Sequence, residues 1–141
     1  MKFKQFAFTA LLVPALALSA SAATITNPQS VRDLLNRIGG PGTSEKFVTV
    51  VDDTYKSPTG AEMFKISAQS GKPCITGTTL SAVTTGIGWY LNHTANVNLA
   101  WNNPYPTLGT LPTPVGEEEH TTTADYRYYL NYCTFSYSMS T

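Results

Sequence analysis

Apolar residues recur at helical spacing in two places and at strand spacing in several others, and this pattern divides the chain. Val31, Leu34, Leu35 and Ile38 fall at i, i+3, i+4 and i+7, with Arg32, Asn36 and Arg37 outside the stripe, which predicts a first helix. Asn27 is expected as its N-cap, Pro28 as its first helical residue and Gly39-Gly40-Pro41-Gly42 as its end. Lys46 to Asp52, with Phe47 and three valines, predicts a mostly buried strand. A turn follows at Ser57 to Gly60. Glu62 to Ala68 alternates, setting Phe64, Ile66 and Ala68 against Met63, Lys65 and Ser67, as a half-exposed strand does. Gln69-Ser70-Gly71 predicts another turn, and Cys74 to Thr76 a third, shorter strand.

Gly77-Thr78-Thr79 opens a second helix, expected from about Leu80 to Leu91, with Thr78 or Thr79 as cap. Its stripe is Leu80, Val83, Ile87, Tyr90 and Leu91. Gly86 and Gly88 each weaken such a helix by about 1 kcal/mol relative to Ala, and close approach of helix to sheet is the expected compensation. Val97 to Trp101 predicts a fourth strand. From Asn102 to Asp125 prolines and the polar run Glu117 to Thr123 indicate a connector, with a short edge strand near Leu108 to Leu111. The fold class this predicts is α+β: a small two-layer α/β sandwich of order α-β-β-β-α-β.

Beyond the connector, Tyr126 to Ser138 carries four tyrosines within its first seven residues and no Gly or Pro, and reads as one more strand. Alternation puts Tyr126, Tyr128, Leu130 and Tyr132 on one face and Arg127, Tyr129, Asn131 and Cys133 on the other. The second face gathers a cation, a phenol, an amide and a thiol. An aromatic strand this close to Thr141, with nothing after it to pair with, is expected to belong to a longer protein.

The termini and the charge narrow the class. Lys2 and Lys4, the apolar run Phe6 to Leu18 and the small residues Ala20-Ser21-Ala22 make a cleavable secretory signal over residues 1–22, with the cut expected after Ala22. The run is too short for a membrane span, and no Cys follows it to take a lipid. Secretion or export to a periplasm is therefore expected. Of 141 residues, nine are basic and nine acidic, and loss of Lys2 and Lys4 leaves seven against nine. A chain so nearly neutral, with no basic stripe, makes nucleic acid and anionic membrane surfaces poor partners, and neither is expected. Cys74 and Cys133 are the two cysteines, too few for a disulfide scaffold. They can pair or stay free.

Candidate chemistry is sparse. Gly77-Thr78-Thr79 lacks the Lys of a phosphate loop and reads as a turn with a cap, and Gly86-Ile87-Gly88 lies inside a helix, where no dinucleotide fingerprint belongs. Glu117 to His120 combines acid and imidazole, but His93, the other histidine, is remote in sequence, so no metal site is expected and the run reads as a solvated loop. Asn92-His93-Thr94 fits the N-glycosylation pattern. No serine has a nucleophile-elbow context, and no pair of carboxylates is placed for glycosidic work. The residues by themselves contain no catalytic apparatus.

Two stretches carry a resemblance. Gly77 to Leu91 resembles the small-residue helix in the N-terminal domain of the α-N-acetylglucosaminidases, glycoside hydrolase family 89, and Tyr126 to Ser138 is similar to the segment where that domain hands over to the catalytic barrel. The second match is long and unusual in composition; the likeness is loosest from Asn102 to Thr123. The resemblance implies three parts: a signal at 1–22, the family's N-terminal α+β domain with its Pro-rich linker at 23–125, and the start of a truncated (β/α)8 barrel, its first strand, at 126–141. It implies an exo-acting retaining glycosidase that removes terminal α-linked N-acetylglucosamine from glycans, from heparan sulfate in animals and from host or mucin glycans in bacteria. Both catalytic glutamates of that family belong to the barrel downstream, so the chain alone is expected to be inactive and to work with its own barrel, without a cofactor. The family's sugar pocket is lined by an Asn and a Cys that correspond to Asn131 and Cys133. A rival reading is a free-standing glycan-binding module stacking sugars on Trp89, Trp101 and Tyr105, and a third is a purely structural exported domain.

Overall fold

The computed structural model describes residues 24–100 and 102–124. The expected leader, Trp101 and the tyrosine strand lie outside them. Five strands form one mixed sheet: β1 (Thr24–Thr26), β2 (Val48–Asp52), β3 (Met63–Gln69), β4 (Lys72–Gly77) and β5 (Glu118–Thr121), in the order β1-β2-β4-β3-β5. The β2/β4 pair is parallel and the other three pairs are antiparallel. Two helices, α1 (Gln29–Gly39) and α2 (Leu80–His93), and a 3₁₀ turn at Thr43–Lys46 complete the α+β domain.

A single core joins the two helices to the sheet. Val31 and Leu35 of α1 meet Phe47, Phe64, Ile66 and Ile75, and α2 adds Ala82, Val83, Ile87, Tyr90 and Leu91. The expected stripe of α2 is therefore correct except at Leu80, which is 46% exposed. Leu80 is the first helical residue, before the turn of α2 that lies on the sheet. Gly86 is a point of close approach: a Cβ there would lie 2.7 Å from Ile75 Cγ2 and 3.0 Å from the Phe64 ring. Gly88 is not, since a Cβ there would meet nothing within 4 Å. Thr79 caps α2, its Oγ1 accepting from Ala82 N at 3.1 Å. Thr78 instead turns inward, where its backbone N donates to Met63 O at 3.1 Å and its hydroxyl accepts from Met63 N at 3.3 Å.

Asn27 does not cap α1. It adopts a left-handed backbone, φ 49°, as Asn tolerates better than most residues, and faces β2. Its N donates to Thr49 O at 2.6 Å, and its Oδ1 accepts from Thr49 N at 2.9 Å. The cap position falls to Pro28, whose carbonyl accepts from Val31 and Arg32. The side chain went to the sheet because β1, an edge strand of three exposed residues with no apolar alternation, runs straight into it. β2 is half-buried rather than mostly buried, with Thr49 inward and Phe47, the residue before the strand, in the core. Between β3 and β4, Ser70 (φ 51°) and Gly71 (φ 75°) make a two-residue turn with both angles positive, the geometry whose twist matches the flanking strands.

Two expectations about strands fail. Val97 to Ala100 is not a strand: Val97 and Leu99 pack on the core from a loop, and only an isolated bridge joins Ala100 to Asn103. Leu108 to Leu111 is likewise a loop, with Leu108 inserted in the core. The last strand of the sheet is instead β5, from the polar run read as connector. It pairs with β3 through Met63↔Thr121, Phe64↔His120, Lys65↔Glu119 and Ile66↔Glu118.

Candidate functional site

Pairing β5 with β3 gives the acidic run two faces. Glu118 and His120 lie on the helix side with Phe64 and Ile66, while Glu119 lies on the far side with Lys65. On the helix side they meet α2, where Trp89 and His93 share a face at i, i+4. The Trp89 ring is stacked on His93 with centroids 3.9 Å apart and tilted against His120 at 4.2 Å. His120 in turn stacks on Phe64 at 5.0 Å. Glu118 Oε1 accepts from Trp89 Nε1 at 2.9 Å and from His120 Nε2 at 2.7 Å. The donor at Nε2 sets the His120 tautomer, and His93 Nδ1 donates to the Trp89 carbonyl at 3.0 Å. His93 is thus not remote: the fold brings both histidines to the two sides of one indole.

This cluster joins one carboxylate, two imidazoles and an indole, and its electrostatics argue for holding rather than reacting. The hydrogen bond from His120, then that from Trp89, hold the Glu118 carboxyl below its usual range. A carboxyl so stabilised as the anion is a poor proton donor at neutral pH. Both donors fall on the same oxygen, and among the described residues no serine or cysteine is a ring or hydrogen-bond partner of Glu118 or His120. Trp89, half-buried with a ring on each side, offers no free face to a sugar. Tyr105, 69% exposed, does. Trp101 lies outside the described residues.

The far side of the sheet is fastened in the same way. Lys65 Nζ reaches Glu117 at 3.4 Å and sits 5.6 Å from the centre of the Tyr55 ring. Tyr55 donates its hydroxyl to Glu119 Oε1 at 2.7 Å. Desolvation first, then that bond and the charges of Glu119 and Glu117, push the phenol well above its ordinary value. All three acids of the run are therefore engaged: Glu117 by Lys65, Glu118 by Trp89 and His120, Glu119 by Tyr55.

An open cleft of about 840 Å³ lies between the 3₁₀ turn, the β3–β4 hairpin and the loop at Leu108 to Leu111. Glu45, Lys46 and Lys72 rim it, with Glu45 its one carboxylate. Tyr90 pins that loop, its hydroxyl donating to Pro112 O at 2.6 Å, and burial pushes the phenol up to about 12. Cys74 is a free thiol, 5% exposed, whose Sγ donates to Gln69 Oε1 at 3.4 Å. Among the described residues no three His, Cys, Asp or Glu are grouped to hold a metal ion, and no helix is long and apolar enough to cross a membrane. The predicted sugar-pocket residues Asn131 and Cys133 lie outside the described residues.

Sequence reasoning missed the Trp89–Glu118 cluster. Two local signals were there: Trp89 and His93 one helical turn apart, and Glu118 and His120 two apart, which is one face of any strand. What joins them is a contact across 29 residues of chain.

Comparison with known proteins follows the same outline. The family model for the α-N-acetylglucosaminidase (NAGLU) N-terminal domain matches residues 29–113. The chain is 31% identical over 111 residues to the α-N-acetylglucosaminidase of Homo sapiens, an alignment covering 77% of this chain and 15% of the human protein. Among solved structures it is similar to the family 89 glycoside hydrolase of Clostridium perfringens in complex with PUGNAc, with a TM-score of 0.66 and 27% identity over 80% of this chain and 13% of that one. A variant of the clostridial enzyme in complex with its substrate GlcNAc-α-1,4-galactose matches with the same TM-score and coverage. The chain thus spans about an eighth to a seventh of the relatives it matches.

Proposed function

The chain belongs to the α-N-acetylglucosaminidase (NAGLU) N-terminal domain family, and from that premise we propose that it is the N-terminal part of an exo-acting, retaining glycosidase. That enzyme removes terminal α-linked N-acetylglucosamine from glycans and is secreted or periplasmic. Residues 24–124 support the catalytic barrel and do not themselves catalyse. The engagement of Glu117, Glu118 and Glu119 supports this reading. Retention needs two carboxyls about 5 Å apart, one nucleophilic and one protonated as the acid. In the run, Glu118 is held as the anion with its own partners, and Glu119 lies on the opposite face of the sheet. The nucleophile and the acid/base are glutamates of the barrel, and Asn131 and Cys133 line its sugar pocket.

The chain alone is assayed against p-nitrophenyl N-acetyl-α-glucosaminide. No nitrophenol release is expected. Turnover that survives repurification and falls in Glu118→Gln or Glu45→Gln would put the chemistry in this domain and overturn the reading. For the whole enzyme, proton NMR of the first-formed sugar should show the α-anomer; the β-anomer would rule out retention.

A further inference from the structure

We propose that Asn92 is the acceptor of an N-linked glycan. The chemical requirement is an accessible carboxamide with a hydroxyl two residues on and no proline between, and Asn92-His93-Thr94 supplies it. A motif of three residues is met by chance, so its setting decides. Asn92 is exposed in the last turn of α2, and its side chain makes no hydrogen bond to a described residue. It continues a stripe with Ser81, Thr85 and Gly88, at steps of four, three and four, opposite the buried Val83, Ile87, Tyr90 and Leu91. One turn before it, a Cβ on Gly88 would meet no atom of a described residue within 4 Å, so among the described residues the surface beside the amide is open.

The local backbone keeps the tripeptide at an end. The N–H groups of Thr94 and Ala95 both donate to Tyr90 O, at 2.9 and 3.0 Å, and Asn96, with φ 53°, turns the chain away. A glycan would leave along solvent without touching the core. His93, the middle residue, stays stacked on Trp89 and takes no part.

The reaction is displacement at the anomeric carbon of an oligosaccharide carried on a polyisoprenyl pyrophosphate. Nδ2 of Asn92 forms the C1–N bond, the C1–O bond breaks with its electron pair passing to the oxygen of the departing lipid pyrophosphate, and the one proton lost from the amide goes to solvent. The donor is met in a eukaryotic secretory lumen, so the modification rests on the secretory reading of residues 1–22, and the test separates the two.

The full chain is expressed in a eukaryotic secretory host, in parallel with residues 23–141 behind the leader of a known secreted protein. Intact mass is measured before and after peptide-N-glycosidase. The expected result is one oligosaccharide, removed by the enzyme and missing in Asn92→Gln and Thr94→Ala but retained in Thr94→Ser. If the full chain stays inside the cell while the second form is glycosylated, the leader reading fails and the site stands. Bare polypeptide mass in the secreted second form, or a glycan that persists in Asn92→Gln, overturns the site.

Discussion

Gly86 and Gly88 lie two residues apart in α2, and the structure assigns opposite signs to the same substitution. Alanine in place of glycine in a helix interior gains about 1 kcal/mol through propensity. At Gly88 no described residue opposes that gain, because a Cβ would meet none of their atoms within 4 Å. At Gly86 the new methyl would sit 2.7 Å from Ile75 Cγ2 and 3.0 and 3.1 Å from two Phe64 ring atoms. Neither neighbour yields easily. Ile75 is fully buried and β-branched, and Phe64 is 7% exposed with His120 stacked on its ring. Overpacking of this kind costs about 1–3 kcal/mol, and the middle of that range, about 2 kcal/mol, exceeds the propensity gain. Gly88→Ala is therefore expected to stabilise by about 1 kcal/mol and Gly86→Ala to destabilise by about 1 kcal/mol. For a domain of this size 1 kcal/mol moves the midpoint by about 4–8 °C, so the variants should melt roughly 10 °C apart. Effects on the unfolded chain are shared by both and cancel in the difference. The assay is thermal unfolding by far-ultraviolet circular dichroism, checked by urea midpoints at fixed slope. A Gly86→Ala chain as stable as Gly88→Ala would refute the claim that Gly86 sets the helix-to-sheet distance.

Three further outcomes follow from the same contacts. Thr79→Ala removes the acceptor for Ala82 N and should cost about 1 kcal/mol in urea unfolding, with Thr79→Ser restoring most of it. Tyr90→Phe deletes the hydroxyl that holds Pro112 O, which should cost about 1 kcal/mol and speed proteolytic cutting near the Leu108 loop while leaving the circular dichroism spectrum unchanged. The carboxyl of Glu118 is lowered in the folded state, so its contribution is present above the usual glutamate range and lost as pH falls through the lowered value. Glu118→Gln should accordingly flatten the acid side of a stability-against-pH curve; an acid limb identical to that of the parent chain would show that the bonds from His120 and Trp89 to Glu118 carry no charge-dependent stability.

Much of the framework was legible because burial leaves a period in the chain. Val31 and Leu35 at four-residue spacing, the Thr79 cap, the Ser70-Gly71 turn and the alternation of Phe64 and Ile66 each report a local preference that the fold keeps. Asn27 shows where that reading stops. As a residue before Pro28 it has the composition of a cap, yet its side chain completes the pairing with Thr49, 22 residues away. That Asn131 and Cys133 line a sugar pocket is an expectation that came only through resemblance, since a strand face carrying them fits a packed interior as well, and both lie outside the described residues.

What the amino-acid pattern determined by itself is which segments bury an apolar face: two helices, the central strands and the turns between them. What only the tertiary structure decided is which segments close the sheet. Val97 and Leu99 have the alternation of a strand and lie on the core as a loop, whereas Glu118 to Thr121 has no apolar residue and is a strand. Periodicity records the solvent exposure of side chains, while a strand exists by virtue of backbone hydrogen bonds to a neighbour. At a sheet edge those bonds need no buried side chain. Glu118 and His120 were ordered instead by Trp89 and Phe64, and Glu119 by Tyr55, partners that become neighbours only once the chain has folded.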